Sequence, residues 1–399
     1  MKKVALVGNM NNNFFSLIRY LRDKNIQAEL FLLNNEMGHF LPECDTYDLS
    51  HRAYTHTLNF GNLYWFLNEC NMIKKDFHFQ IEYLKAFDYI IACGAALGFL
   101  EFFDIHVNMF IPYGGDVTIL PFYVPSQNPN HREHLDAFSS YQMQAIKNVD
   151  TVITTNDFTI VDVFADGLNK LNVLKKTIGL EYFPFIYHPI YAPDNIIEYF
   201  SRSYWANEFL SIRNSTSLLI ISHVRHVWKT KADISSMKGN NLLIEAFAHI
   251  CKEYHTLNPL LILFEYGNDI FESKKLIAKY GIEKFVIWMP QMNRKDIMVG
   301  LYYADLVGES FVHGNAMCGI VAESLISKTN IIKYTDLQYI NGRSLYTSFN
   351  AKTWEQIFDS ICKFQTKKPH YLKIAQDNFE WFERQSQYGL ETIINNIYL

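Results

Sequence analysis

The chain has 399 residues, 49% of them apolar and 19% charged, with a formal net charge of −5 and a pI near 6.3. That length exceeds one ordinary core and suggests two domains of about 150–200 residues, and the apolar share excludes a disordered chain. The acidic balance argues against nucleic acid as a partner, since phosphate contacts need a basic face, and against strong docking to anionic membranes.

The cysteines at 44, 70, 93, 251, 318 and 362 are scattered and form no Cys-x-x-Cys pair, which fits a reducing compartment and gives no support for zinc. The start, "MKKVALVGNMNNN", is too short in apolar residues for a signal peptide, and no polar-free stretch of about 18 residues follows. A cytoplasmic protein with at most peripheral membrane association is expected. Aromatic residues reach 16%, and most are assigned to cores rather than to ligand stacking.

Along the chain, short apolar runs alternate with longer amphipathic ones, as in βαβ units with parallel sheets. The first half reads as strands at 3–8, 28–33, 88–93, 107–112 and 151–155, with helices near 14–23, 60–74, 96–103, 131–148 and 157–169. A Pro-bearing, weakly periodic hinge is placed at 188–212. The second half repeats the scheme with strands at 217–222, 259–267, 284–290, 304–309 and 330–334. Its helices are expected near 240–255, 270–280, 293–302, 318–327 and 352–364, followed by a terminal helix at about 370–395. The fold class is therefore α/β, with two Rossmann-like domains, 1–190 and 191–369, facing across a cleft, and a terminal segment 370–399.

Four stretches have the residues for chemistry. "VALVGNMNNNFF" ends a strand at Gly8 and turns into a helix, so its backbone N–H groups suit a phosphate or sugar; alternatively Gly8 is a plain tight turn and Asn11–Asn13 cap the helix. "FIPYGGDVTILPF" places Asp116 after Gly114 and Gly115, either as a carboxylate for an acceptor hydroxyl or as a turn residue. In "ISHVRHVWKTKADISSMKGNN", Arg225 follows a strand and Lys238-Gly239 opens a helix, a fork and a point charge that suit a diphosphate. His223 and His226 lie three apart with no acidic partner nearby in the sequence. In "GNAMCGIVAES", Cys318, Gly319 and Ile320 begin a helix whose free N–H groups favour an anion, and Glu323 lies one turn further in. Asp-x-Asp, P-loop, Gly-x-Ser-x-Gly and His-Glu-x-x-His motifs are all missing.

With these pieces in this order, the chain resembles the GT-B glycosyltransferases, and within them the family 4 retaining nucleotide-sugar transferases, most closely over 217–334. The resemblance implies that Arg225 and Lys238 bind the donor phosphates together with Cys318, Gly319 and Ile320. It also implies that Tyr266 and Gly267 of "FEYGND" and Met289 of "FVIWMP" lie at the nucleoside, and that Glu323 holds the ribose. Eight positions before Glu323 the family has a second glutamate that contacts the sugar; here Asn315 stands there, with Glu309 and His313 as alternatives for that role. The N-terminal half, with Gly8, Asn9, Asn11, Gly114 and Gly115, would bind the acceptor, with Asp116 positioning hydroxyls, and the terminal helix would cross back onto it.

The implied activity is transfer of a sugar, with retention, from a nucleotide-diphosphate sugar to a hydroxyl on a surface glycan or lipid-linked saccharide. It needs no metal and no cofactor beyond the donor substrate. The alternative is a donor-binding subunit that has lost catalysis. A dinucleotide-dependent oxidoreductase is a weaker rival, because no glycine triplet follows "VALVG".

Overall fold

A computed structural model describes residues 2–34, 36, 38–59, 66, 78–123, 132–155, 166–180, 186–230, 236–314, 317–335, 339–340 and 343–399. Asn315, most of the helix expected over 60–74 and the first part of the one expected over 157–169 lie outside these residues. The chain divides into two compact units: Met1–Tyr187 with Ser386–Leu399, and His188–Gln385.

The first unit is built on a sheet of seven parallel strands: β1 Val4–Val7, β2 Ala28–Leu33, β3 Thr55–Leu58, β4 Tyr89–Ala92, β5 Met109–Phe110, β6 Thr151–Thr155 and β7 Thr177–Leu180. Their order is β3-β2-β1-β4-β5-β6-β7, so the winding reverses between β1 and β4. Alternate side chains of β1 feed two cores, as the two-residue strand period requires. Val4 and Leu6 pack with Phe14, Leu17 and Ile18 of the Asn13–Asp23 helix, while Ala5 and Val7 pack with Phe99 and Phe138 on the other face. Leu390, Ile393 and Ile397 complete the first of these cores. They belong to the last helix, Lys368–Tyr398, whose end crosses back into this unit as expected.

The second unit has six parallel strands: β8 Leu219–Ser222, β9 Leu260–Phe264, β10 Val286–Met289, β11 Leu306–Gly308, β12 Asn330–Lys333 and, after a short antiparallel pair β13 Tyr339–Ile340 and β14 Arg343–Ser344, β15 Phe349–Asn350. The order is β10-β9-β8-β11-β12-β15, with the reversal between β8 and β11. In sheets of this kind a crevice opens beyond the strand ends at the reversal, and it is the usual place for a ligand.

The stretch read as a hinge holds two helices, Pro193–Ser201 and Ala206–Asn214. Ile196, Tyr199 and Phe200 in the first, and Phe209 and Ile212 in the second, are buried at helical spacing. The second packs so close to the Arg294–Tyr303 helix that a Cβ on Gly300 would come within 2.7 Å of the Phe209 ring. Strands β3, β7 and β15 were not expected: each is an edge strand with a neighbour on one side only, and such strands lack the continuous apolar run that marks a central one. Among the described residues, no helix is long and apolar enough to cross a membrane.

Candidate functional site

The β8/β11 reversal in the second unit gathers charge from elements far apart in sequence. His223 follows β8, and its Nε2 lies 2.7 Å from Oε2 of Glu323 in the Gly319–Ile326 helix. Arg294, first residue of its helix, donates from Nε to the other carboxylate oxygen at 2.8 Å. Burial pushes the Glu323 carboxyl up, but the His223 hydrogen bond and the charges of His223 and Arg294 outweigh it and hold the group below the ordinary carboxylate range. Each oxygen has one partner here, and a carboxylate has about four acceptor positions, so room remains for hydroxyl groups. His223 Nδ1 is buried and takes no hydrogen bond among the described residues.

A second cluster lies at the ends of β11 and β12. Glu309, 1% exposed, stands between Lys238 Nζ at 4.0 Å and Lys333 Nζ at 3.8 Å. Lys333 is wholly buried and also reaches the Tyr346 hydroxyl at 3.3 Å. Glu309 Oε2 accepts no hydrogen bond from any described residue, and Cys318 Sγ lies 3.7 Å from Oε1. Burial and the neighbouring Glu309 push the Cys318 thiol up to about 12, so it is a neutral thiol at pH 7. The Gly319 and Ile320 amides donate no hydrogen bond among the described residues; Val321 N–H turns to the Cys318 thiol and Ala322 N–H donates to Cys318 O at 3.1 Å. Free N–H groups at a helix start, beside an excess of basic side chains, favour a bound anion.

The loop after β8 is pinned from β9. His226 N–H donates to Tyr266 O at 2.6 Å, and Gly267 sits at φ +110 with its α-carbon so close to the His226 backbone that a Cβ would lie 2.4 Å from that nitrogen. Asp269 then accepts the amides of Trp228 (2.6 Å), Lys229 (2.7 Å) and Thr230 (3.0 Å) and the Thr230 hydroxyl. Its burial is outweighed by the Thr230 hydroxyl and these amides, which bring its carboxyl down to about 2. Arg225, in the middle of this loop and half-buried, makes no hydrogen bond or ion pair among the described residues. The pinned loop thus presents a guanidinium that engages no described residue. Gly239 at φ +72 lets Lys238 pack under Phe311, whose N–H donates to Lys238 O at 2.9 Å.

Of the residues named from sequence, the structure brings Lys238, Glu309, Cys318, Gly319 and Ile320 to one region at the strand ends, and it places Glu323 in the helix that Gly319 opens. Tyr266 is 42% exposed, while Met289 is buried with its carbonyl accepting Glu265 N–H at 2.8 Å. His313 is half-buried and has no hydrogen-bond or ion partner among the described residues. His223, Arg294 and Lys333 were not expected to take part. A lysine inside the apolar run "NIIKY" was the one available signal, since buried lysines require partners. The acidic partner of His223 exists, one hundred residues away.

In the first unit, Gly8 (φ +87) turns the chain so tightly that a Cβ would lie 2.8 Å from Cys93 O. Asn12, in the expected 11–13 run, is the N-cap residue of the following helix, but the side-chain capping bond comes from Asn9: its Oδ1 accepts Phe15 N–H at 2.9 Å, and its amide donates to Asn12 Oδ1 at 2.8 Å and to Phe40 O. Asn11 is exposed at φ +54. Asp116 is 2% exposed and binds three amides, those of Gly94 (3.0 Å), Tyr113 (3.0 Å) and Gly114 (2.8 Å). Burial pushes its carboxyl up, and the amides offset this only in part. Asp116 therefore ties the Gly114–Gly115 turn to the end of β4, the turn-residue role weighed from the sequence. A cavity of about 380 Å³ opens at the β1/β4 reversal, lined by Gly8, Asn9, Gly115 and Asp116 among others. Among the described residues, no group of three or more His, Cys, Asp or Glu could hold a metal ion.

No family model matches the chain, and no curated protein matches it by sequence. Solved structures match it end to end. HepE of Anabaena in complex with UDP-glucose is 14% identical with a TM-score of 0.60, covering 99% of this chain and 100% of that one. Sucrose-phosphate synthase of Thermosynechococcus elongatus is 12% identical at 0.59, covering 100% and 98%. UDP-GlcNAc 2-epimerase of Neisseria meningitidis, bound to UDP-GlcNAc, is 11% identical at 0.61, covering 100% of both. The chain therefore has the GT-B fold that these proteins share.

Proposed function

We propose that this chain is a glycosyltransferase that moves a sugar from a nucleoside diphosphate sugar to a hydroxyl acceptor. The carrying observation is the pair of strand-end clusters of the second unit, in which Lys238, Lys333 and Arg294 outnumber Glu309 and Glu323, with Arg225 on the loop after β8 and the Gly319 and Ile320 amides unbonded among the described residues. Such an excess of fixed positive charge suits a diphosphate, and it is worth most when that diphosphate gains charge as it leaves. In this reading Arg225, Lys238 and the Gly319 and Ile320 amides take the phosphates. Glu323, held in place by His223 and Arg294, accepts ribose hydroxyls, and the Tyr266–Gly267 and Met289 turns flank the nucleoside. Glu309, with a bare oxygen, is the carboxylate for the sugar.

In the reaction, the bond from the sugar's anomeric carbon to the diphosphate breaks and a bond to the acceptor oxygen forms. The hydroxyl proton passes to the departing phosphate oxygen, so no enzyme nucleophile or metal is called for and configuration is retained. The first unit takes the acceptor, on a surface glycan or a lipid-linked saccharide, and the free cysteines fit a cytoplasmic setting. Support comes from the three proteins of the same fold, two of them solved with a UDP-sugar. The epimerase among them favours a second reading, chemistry on the donor sugar without an acceptor.

One assay separates these readings from a binding subunit that has lost catalysis: nucleotide release is followed with a panel of UDP-sugars, with and without hydroxyl acceptors, and products are identified by NMR. Transfer predicts acceptor-dependent release and a glycoside with the donor's anomeric configuration. Isomerised donor without glycoside supports the second reading, and donor binding with neither product supports the subunit.

A further inference from the structure

The first unit's cavity has a lining whose chemistry differs from that of the charged strand ends of the second unit. It lies wholly within the first unit, and its volume of about 380 Å³ is in the range of small-molecule clefts. Met10, Leu33, Phe40, Ile119 and Leu120 give its wall large apolar side chains. Ile119 is 61% exposed, unusual for isoleucine, which places an apolar surface open to solvent there.

Among the described residues that line it, the ionisable acids or bases apart from the Cys93 thiol are two carboxyls, Glu36 and Asp116, with no Lys, Arg or His. Asp116 is tied to three amides, as above, and Glu36 Oε1 accepts Asn9 N–H at 2.9 Å. Backbone amides hold both carboxyls in place against the upward push of burial, so a further negative charge beside them meets like charge. A wall that is apolar, with fixed acids and no cation among its described residues, suits an uncharged apolar guest better than a phosphate.

We propose that this cavity binds an uncharged alkyl or aryl group, the apolar portion of the hydroxyl-bearing acceptor, and that it discriminates against anionic groups of the same shape. The proposal rests on the transferase reading only for the word acceptor; the preference itself is a property of the cavity. A lipid-linked acceptor would thus place hydrocarbon here and keep its phosphate elsewhere.

The test uses two probes with the same chain, n-octyl β-D-glucoside and n-octyl phosphate, each below its micellar concentration, titrated into the full chain by ligand-observed NMR. The glucoside is expected to bind at least tenfold tighter. Ala95→Phe, at the cavity wall, should abolish glucoside binding, and Ile119→Ala, at an exposed site the fold tolerates, should weaken it severalfold. Glu36→Gln should bring the two probes within about threefold. Equal or tighter binding of the phosphate, or glucoside binding unchanged in both Ala95→Phe and Ile119→Ala, overturns the proposal. UDP titrated into the same samples separates the two readings: UDP binding retained while the glucoside fails leaves the transferase reading standing, whereas glucoside binding with no UDP binding sinks that reading and spares this one.

Discussion

Glu323 shows how a single side chain changes meaning once its neighbours are known. The sequence offers a helical glutamate one turn past a glycine, and the resemblance gives it a ribose. The structure adds two partners, the buried His223 and the partly buried Arg294, drawn from the ends of other elements. Removing one member of a buried charged cluster leaves the others uncompensated at a cost of about 3–5 kcal/mol. Glu323→Ala is therefore expected to lower unfolding free energy by roughly that amount in urea denaturation, and to weaken nucleotide binding as well. His226 makes a separate prediction. Burial brings its ring down to about 4, with Asp269 opposing, so the folded chain binds fewer protons than the unfolded chain between pH 6.5 and 4. The stability tied to its neutral form is complete above pH 6.5 and is lost as pH falls toward 4. His226→Asn should flatten that decline in melting temperature over this window, and an unchanged slope would contradict the assignment.

At the scale of elements, the central strands were legible because each is a short apolar run, buried on both faces. The Gly8 and Gly267 turns were legible because glycine punctuates strand ends, and Gly239 because it opens a helix. Edge strand β10 was legible as the apolar run "FVIWM", but edge strands β3, β7 and β15 and the helices of 193–214 were not, because their apolar stripes are short and their partners, such as Gly300 for Phe209, are distant in sequence. The site was half legible for the same reason. Arg225, Lys238 and Glu323 stand in recognisable local patterns, whereas His223, Arg294 and Lys333 acquire roles only through contacts across the sheet. Gly267 tests the pinned loop directly. Alanine there needs φ +110 and puts a methyl 2.4 Å from the His226 nitrogen, where backbone meets backbone. Gly267→Ala should cost roughly 1–3 kcal/mol in stability and displace the Arg225 loop, read as reduced hydrogen-exchange protection over 223–230.

For the whole molecule, the terminal helix ties the last residues to the first strand. Leu390, Ile393 and Ile397 are at most 2% exposed in the core that holds Val4 and Leu6, and Lys2 Nζ donates to Ile397 O at 2.6 Å. Burying three such side chains contributes roughly 5–9 kcal/mol, comparable to the stability of an entire domain. Deleting 386–399 should therefore unfold the first unit while the β8–β12 sheet keeps its exchange protection; protection retained in β1 would refute this. The central claim, a nucleoside diphosphate held by fixed positive charge at the end of the second sheet, is tested most directly by calorimetric titration of UDP into wild-type chain, Arg225→Ala and Lys238→Ala. The account predicts saturable binding to wild type and at least a tenfold loss, about 1.4 kcal/mol, in each variant. Identical affinity in all three would contradict it.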